Sequence, residues 1–121
     1  MHYTNLLKSS SIGDMQLKNK IVMAPMGSNF ASEDGHASER LKAYYEERAK
    51  GGVGLIILET SAVSWPAGSS MPNMIGYSED RFIPDLQDLT SRVHQYGAKI
   101  AAQLNHSCLL YTSPSPRDNR V

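Results

Sequence analysis

A strand–helix–strand pattern in the first half of the chain constrains the fold more than any other feature. Residues 21–24 and 53–58 form two continuous apolar runs, which are typical of strands buried on both faces. Between them, residues 38–50 carry apolar side chains at helical spacing, and Gly51-Gly52 ends that segment. Two buried strands joined by one helix form a βαβ unit, so the pattern predicts an α/β fold with parallel strands. Ligands of such folds bind at the carboxyl ends of the strands.

The remaining elements are predicted by turn and capping residues. A Gly-Asp dipeptide between short alternating segments predicts a hairpin within residues 6–19. Ser38 is a favourable N-cap for the first helix, and Pro84 is a favourable first-turn residue for a second helix that ends at Gly97. The predicted strands are Ile21–Ala24, Val53–Leu58 and Lys99–Leu104, and the predicted loop before the second helix covers residues 60–77.

Composition and charge argue against several classes of function. The 121 residues include 12 basic and 12 acidic side chains, well interspersed, so we expect no nucleic-acid partner. No apolar run approaches the roughly 20 residues that span a bilayer, and the N-terminus does not resemble a signal peptide. The single cysteine, Cys108, excludes an internal disulfide and fits a reducing compartment. We therefore expect a cytoplasmic protein that acts on a small molecule away from the membrane, in an oligomeric state that the sequence leaves open.

Three segments carry a resemblance to a known family. KNKIVMAPMGSNF, SERLKAYYEERAKGGVGLIILETSAV and GAKIAAQLNHS, within residues 5–107, resemble the start of the NADH:flavin oxidoreductase or old yellow enzyme family. The branch of bacterial enoate and 2,4-dienoyl-CoA reductases is the most similar. This resemblance implies a TIM (β/α)8 barrel, which needs about 250 residues. Residues 1–107 are therefore expected to form the N-terminal part of an FMN-binding barrel, about three βα units plus a hairpin at its bottom, in a truncated chain.

The last segment of the chain departs from the family pattern. Ser107 fits the pattern, whereas Cys108 and Leu109 do not, and the following residues have no periodicity and two Ser-Pro pairs. We interpret residues 108–121 as foreign sequence, and we expect residues 109–121 to pack poorly on the rest. The alternative is a natural divergent C-terminus.

The loop after the first strand is the first predicted part of a flavin site. Main-chain N–H groups at a strand end can stabilise the negative charge that builds up on a reduced flavin. The resemblance implies that Ala24, Pro25, Met26 and Gly27 line the flavin beside its N5 and O4 edge. Many relatives have Cys or Thr at the position of Gly27, so only a main-chain contact is expected there. The alternative is that the segment merely ends a core strand.

The ends of the second and third strands supply the other predicted site residues. The amide of Gln103 offers a donor and an acceptor to a flavin pyrimidine, and the resemblance assigns it that role. Thr60 matches a position beside the isoalloxazine ring. Glu59 could equally make a structural hydrogen bond beneath the site. His106 is a candidate substrate contact, although the family motif around it mostly shapes the site. His36 and His94 are expected to be ordinary surface residues.

The resemblance implies an enzyme that uses NAD(P)H and FMN to reduce the activated double bonds of enones, enoates or dienoyl thioesters. Its proton donor and its phosphate-binding loops come from later strands of the barrel, so no catalytic residue and no metal ligand is assigned here. A 4Fe-4S cluster and an FAD domain are expected only in downstream sequence. Two alternatives stay open: an oxidative flavoenzyme similar to amine dehydrogenases, and an inactive fragment that binds no flavin.

Overall fold

The computed structural model describes residues 2–107 and contains a hairpin followed by alternating strands and helices. Its elements are α1 Thr4–Leu7, β1 Ser10–Ile12, β2 Met15–Leu17, β3 Val22–Met23, α2 Glu39–Lys50, β4 Leu55–Ala62, a 3₁₀ helix Asp80–Phe82, α3 Ile83–His94 and β5 Lys99–Asn105. The predicted boundary at residue 107 and the predicted foreign segment 108–121 concern residues outside those described, and both stay predictions.

Strands β3, β4 and β5 form one parallel sheet in that order. Strands that follow one another in sequence are therefore neighbours in space, which is the arrangement of consecutive strands in a (β/α)8 barrel. The antiparallel hairpin β1–β2 forms a separate sheet, as its Gly-Asp turn predicts. Within residues 2–107 the sheet is open, with β3 and β5 as its edges, so the described part is a segment of a barrel.

Helices α2 and α3 pack on one face of this sheet. Ser38 accepts a hydrogen bond from the main-chain N–H of Leu41, which confirms the predicted N-cap of α2. The helix ends at Lys50, and Gly52 has a φ of 110°, so the glycine stop is also confirmed. The buried apolar side chains of the two helices meet those of β4 in one core. Its main members are Leu41, Tyr45, Ala49, Ile56, Leu58, Leu89 and Val93.

The predicted bounds of the first two parallel strands are wrong at both ends. Strand β3 contains only Val22 and Met23, because Pro25 has no N–H to contribute to a ladder and the chain leaves the sheet before it. Strand β4 runs on to Ala62, so residues 60–62 belong to the strand and not to the following loop. A register shift between Leu58 and Thr60 allows the polar end of β4 to pair with β5.

A charged cluster joins α2 to α3. Lys42 is only 5% exposed, and its Nζ lies 2.8 Å from Asp85 Oδ1 and 3.0 Å from Asp88 Oδ2. His36 Nδ1 lies 2.8 Å from Asp85 Oδ2. The prediction that His36 is an ordinary surface residue is therefore wrong, because the carboxylate of α3 draws its ring into the helix interface. His94 is exposed, as predicted.

This cluster predicts a loss of stability in acid. The hydrogen bond from Lys42, with a further one from His36, holds the pKa of Asp85 below its usual 3.8. A carboxyl group whose pKa is lower in the folded state stabilises that state above the unfolded pKa, and the stabilisation disappears as the pH falls through the folded pKa. We expect Asp85→Asn to lower the free energy of unfolding by about 1 kcal/mol at pH 6, since Asp88 still pairs with Lys42. The deficit should shrink toward pH 3.

Urea unfolding of both proteins at several pH values measures this difference. Glu47→Gln on the exposed face of α2 is the matched control, which removes one carboxylate outside the cluster. A deficit in Asp85→Asn that stays constant from pH 6 to pH 3 would contradict the assignment.

Candidate functional site

The predicted site residues lie at the carboxyl edge of the parallel sheet. Residues 24–27 follow β3 directly, whereas Thr60 and Gln103 lie near the ends of β4 and β5. Thr60 and Gln103 are aligned in the ladder, and Thr60 Oγ1 donates a hydrogen bond of 2.6 Å to Gln103 Oε1. The structure therefore brings these two side chains into contact. Residues 24–27 lie at the same edge, and strand β4 separates them from Gln103 on β5.

The Thr60–Gln103 pair leaves one hydrogen-bond donor, the amino group of Gln103, without a partner within residues 2–107. Gln103 is exposed, and Thr60 satisfies its oxygen, while its amino group donates to no other group within residues 2–107. A fixed carboxamide with a free amino group is a suitable donor for the carbonyl oxygens of a flavin pyrimidine. The donor set thus fits FMN chemically, although its contact with FMN stays a prediction.

The segment after β3 is open toward the same edge. Met26 is 55% exposed, and Gly27 is also exposed. A methyl group added to Gly27 would lie 2.8 Å from Met71 Cε and 3.3 Å from its Sδ, so the thioether of the β4–α3 loop covers one side of this glycine. Since Pro25 has no N–H, the main-chain donors that follow it in the segment are those of Met26 and Gly27.

Glu59 forms a buried hydrogen-bond network behind this segment. Its side chain is fully buried, at 0% exposure. Glu59 Oε1 accepts hydrogen bonds from Ser28 Oγ at 2.6 Å and from the Tyr45 hydroxyl at 2.9 Å. Oε2 accepts one from the Ser28 N–H at 3.3 Å. Burial, together with the charge of Glu59, raises the pKa of Tyr45 far above its usual value, so this phenol stays a neutral donor. These contacts support the structural alternative for Glu59.

The long β4–α3 loop is attached to both neighbouring loops. Asn29 has a φ of 60°, and its Oδ1 accepts a hydrogen bond of 3.0 Å from the main-chain N–H of Asn73. Sequence reasoning missed this contact, although asparagine tolerates the left-handed region better than most residues. The ring of His106 lies against Gly68 of the same loop, where an added methyl group would be 3.1 Å from His106 Cδ2. His106 therefore borders the site edge beside this loop.

No helix within residues 2–107 is long and apolar enough to cross a bilayer. The same part of the chain brings together no group of three or more His, Cys, Asp or Glu side chains that could hold a metal ion.

The chain is similar to part of two larger oxidoreductases. It is 43% identical over 106 residues to the NADH oxidase of Thermoanaerobacter brockii, a match that covers 88% of this chain and 16% of the relative. It is 36% identical over 107 residues to the N,N-dimethylglycine/sarcosine dehydrogenase of Chromohalobacter salexigens, covering 88% of this chain and 15% of that protein. The chain thus spans about a sixth of the length of these relatives.

The fold is similar to that of a solved enzyme. The old yellow enzyme homologue from Zymomonas mobilis superposes with a TM-score of 0.77 at 33% identity, covering 84% of this chain and 28% of that one. The described residues therefore have the α/β fold of part of an old yellow enzyme TIM barrel. The family model for the NADH:flavin oxidoreductase / NADH oxidase family matches residues 5–115, past the predicted boundary at residue 107. With nearly the whole chain matched, this protein belongs to the NADH:flavin oxidoreductase / NADH oxidase family.

Proposed function

We propose that the protein containing this segment is an FMN-dependent oxidoreductase that takes hydride from NAD(P)H and reduces an activated C=C bond. Enones, enoates and dienoyl thioesters are the proposed substrate classes. Family membership supports the flavin chemistry. The observation that carries the proposal for this site is the Thr60–Gln103 pair, which presents an amide donor at the same carboxyl edge of the sheet as the open segment 24–27.

The residues of this chain would bind and orient the flavin ring. Bound FMN would supply a centre that accepts hydride and passes it on to the substrate. Gln103 would donate from its amino group to a pyrimidine carbonyl, and Thr60 holds that amide in place by donating to its oxygen. The N–H groups of Met26 and Gly27 would face the N5 and O4 edge, where they would stabilise negative charge. Ala24 and Pro25 would line the ring by contact alone.

An oxidative reaction is the second candidate function. The similarity to a dehydrogenase of N,N-dimethylglycine and sarcosine favours it, because that protein matches the same part of this chain. The ring-binding residues would serve either direction, since they contact the flavin rather than the substrate. A third alternative, an inactive 121-residue chain, concerns only this polypeptide and leaves the function of a longer protein unchanged.

The proposed partners and cellular location of the enzyme rest on its composition. A balanced charge and a pI of about 6.9 support a small-molecule substrate rather than a nucleic acid or an anionic membrane surface. We propose a cytoplasmic location on the same grounds, together with the single cysteine.

A chimeric enzyme tests the proposed function. Residues 5–107 would replace the matching segment of the Thermoanaerobacter brockii NADH oxidase, to which this chain is 43% identical. We expect the purified chimera to contain FMN and to oxidise NAD(P)H faster when 2-cyclohexenone is added. A folded chimera without flavin would refute the proposal. The choice between reduction and oxidation needs the longer protein that contains this segment, because the chimera takes its substrate contacts from the other enzyme. That protein, assayed with N,N-dimethylglycine and an artificial electron acceptor, tests the oxidative alternative, and turnover of the amine alone would favour the second candidate.

A further inference from the structure

We propose that Glu59 is a positioning residue for the flavin-binding segment. It would act by fixing the peptide group between Gly27 and Ser28 in one orientation. This inference rests on the proposed function, because it concerns the same flavin site. The flavin would touch the segment, and Glu59 would act only through it.

The first argument is the burial and partner set of the carboxylate. Glu59 is fully buried, and no Lys, Arg or His within residues 2–107 forms an ion pair with it. Three hydrogen bonds satisfy it instead, and two of them come from Ser28. Burying a carboxylate without a cation costs free energy, and these hydrogen bonds offset that cost. Ser28 donates two of the three bonds, so Glu59 fixes this residue most directly, and Ser28 lies next to the predicted flavin segment.

The second argument is the geometry of the peptide group. The Ser28 N–H points toward Glu59 Oε2 at 3.3 Å. The only cis peptide bond in the described residues is Trp65-Pro66, so the Gly27–Ser28 peptide is trans. In a trans peptide the C=O points opposite to the N–H, so the Gly27 carbonyl is directed away from Glu59. Gly27 has no Cβ, so its backbone can adopt more conformations than that of other residues. The hydrogen bond from the Ser28 N–H to Glu59 restricts the peptide group that follows Gly27, and therefore limits the orientations of the segment.

The third argument is that Glu59 itself is held rigidly. The Tyr45 hydroxyl donates to Oε1 at 2.9 Å and accepts from the Glu59 N–H at 3.1 Å, which ties side chain and backbone to one phenol. Tyr45 belongs to α2 and is buried in the core. Ser28 Oγ also accepts a hydrogen bond of 3.2 Å from the N–H of Phe30, so the same hydroxyl fixes the next part of the loop. The helix core thus sets the position of the flavin segment through Glu59.

Hydrogen exchange in the 121-residue chain tests the anchor without any flavin. Glu59→Ala should speed the amide exchange of Ser28 by at least about 10-fold, because its N–H loses a charged acceptor. The amide of Val93 in α3 should keep its exchange rate. Unchanged protection of Ser28 would overturn the proposal. If Glu59→Ala does not fold, Tyr45→Phe replaces it, because it removes the hydroxyl that holds Glu59 Oε1, and faster exchange is again expected at Ser28.

The chimera described above tests the effect on FMN. Glu59→Ala should weaken FMN affinity about 10- to 100-fold and shift the visible absorption bands of the bound flavin. Val93→Ala is the matched control, since it destabilises the core from α3 and should keep both affinity and spectrum. Glu59→Gln should recover most of the affinity, because its oxygen can accept from the Ser28 N–H while its amino group donates to the hydroxyls.

The outcomes separate this proposal from the proposed function. An unmodified chimera that lacks FMN contradicts the function, and the exchange experiment still decides the anchor. Equal losses in Glu59→Ala and Val93→Ala would mean that stability alone is affected, which overturns the positioning role. A loss in Glu59→Gln as large as that in Glu59→Ala would mean that the negative charge matters rather than the peptide orientation, which also overturns it.

Discussion

The isolated 121-residue chain is expected to bind FMN at least about a thousandfold more weakly than the chimeric enzyme. Residues 2–107 supply three parallel strands and the ring-facing residues at their carboxyl edge. In barrels of this kind the phosphate-binding loops follow strands seven and eight. Each charge-assisted hydrogen bond to the phosphate contributes about 1.5–3 kcal/mol. The absence of two such bonds therefore costs roughly 4 kcal/mol, which corresponds to a thousandfold in affinity.

Flavin fluorescence titrations with FMN and with riboflavin measure this effect. Riboflavin lacks the phosphate and is the matched control ligand. The isolated chain should bind both ligands equally weakly, whereas the chimera should prefer FMN strongly. Stoichiometric binding of FMN by the isolated chain in the low micromolar range would contradict the prediction, and would mean that the chain assembles a phosphate site of its own.

The local signals in the sequence predict most of the fold correctly. Ser38, the glycines after Lys50 and the Gly-Asp turn each act on the backbone within a few residues, so their effect is readable without tertiary contacts. The strand–helix alternation predicts the sheet order, because neighbouring βα units pack side by side. The carboxyl edge of the sheet, and with it the meeting of Thr60 and Gln103, follows from the same alternation.

The features that sequence reasoning missed depend on contacts between distant residues. No local signal marks Lys42 as a buried residue, but two carboxylates of α3 hold it in the interface. The polar end of β4 reads as a loop, although pairing with β5 beyond a register shift keeps it in the sheet. Glu59 could be read as either a site residue or a structural one, and only the positions of Ser28 and Tyr45 decide between them. A contact with a residue more than ten positions away produces no periodic pattern in the local sequence, so that pattern cannot predict it.

The two ends of the sheet should respond differently to the same substitution, Gly→Ala. Gly54 is buried at the amino edge, where an added methyl group would lie 2.5 Å from Asn19 Oδ1 and 2.8 Å from the Asn19 main-chain oxygen. Neither atom can move freely, because Asn19 Nδ2 donates to the Gly52 carbonyl at 2.7 Å and its Oδ1 accepts from the Ile21 N–H at 3.0 Å. We expect Gly54→Ala to lower the free energy of unfolding by about 3 kcal/mol through this overpacking.

Gly27→Ala is the matched control at the carboxyl edge. Its methyl group would approach Met71 Cε to 2.8 Å, but this atom is the end of a flexible side chain that can turn away. The loss of stability there should stay below about 1 kcal/mol. Urea unfolding of both variants measures the difference, with circular dichroism as the signal. Equal losses would show that the two edges are equally rigid, and would contradict the division of the sheet into an amino edge that stabilises the fold and a carboxyl edge that binds the ligand.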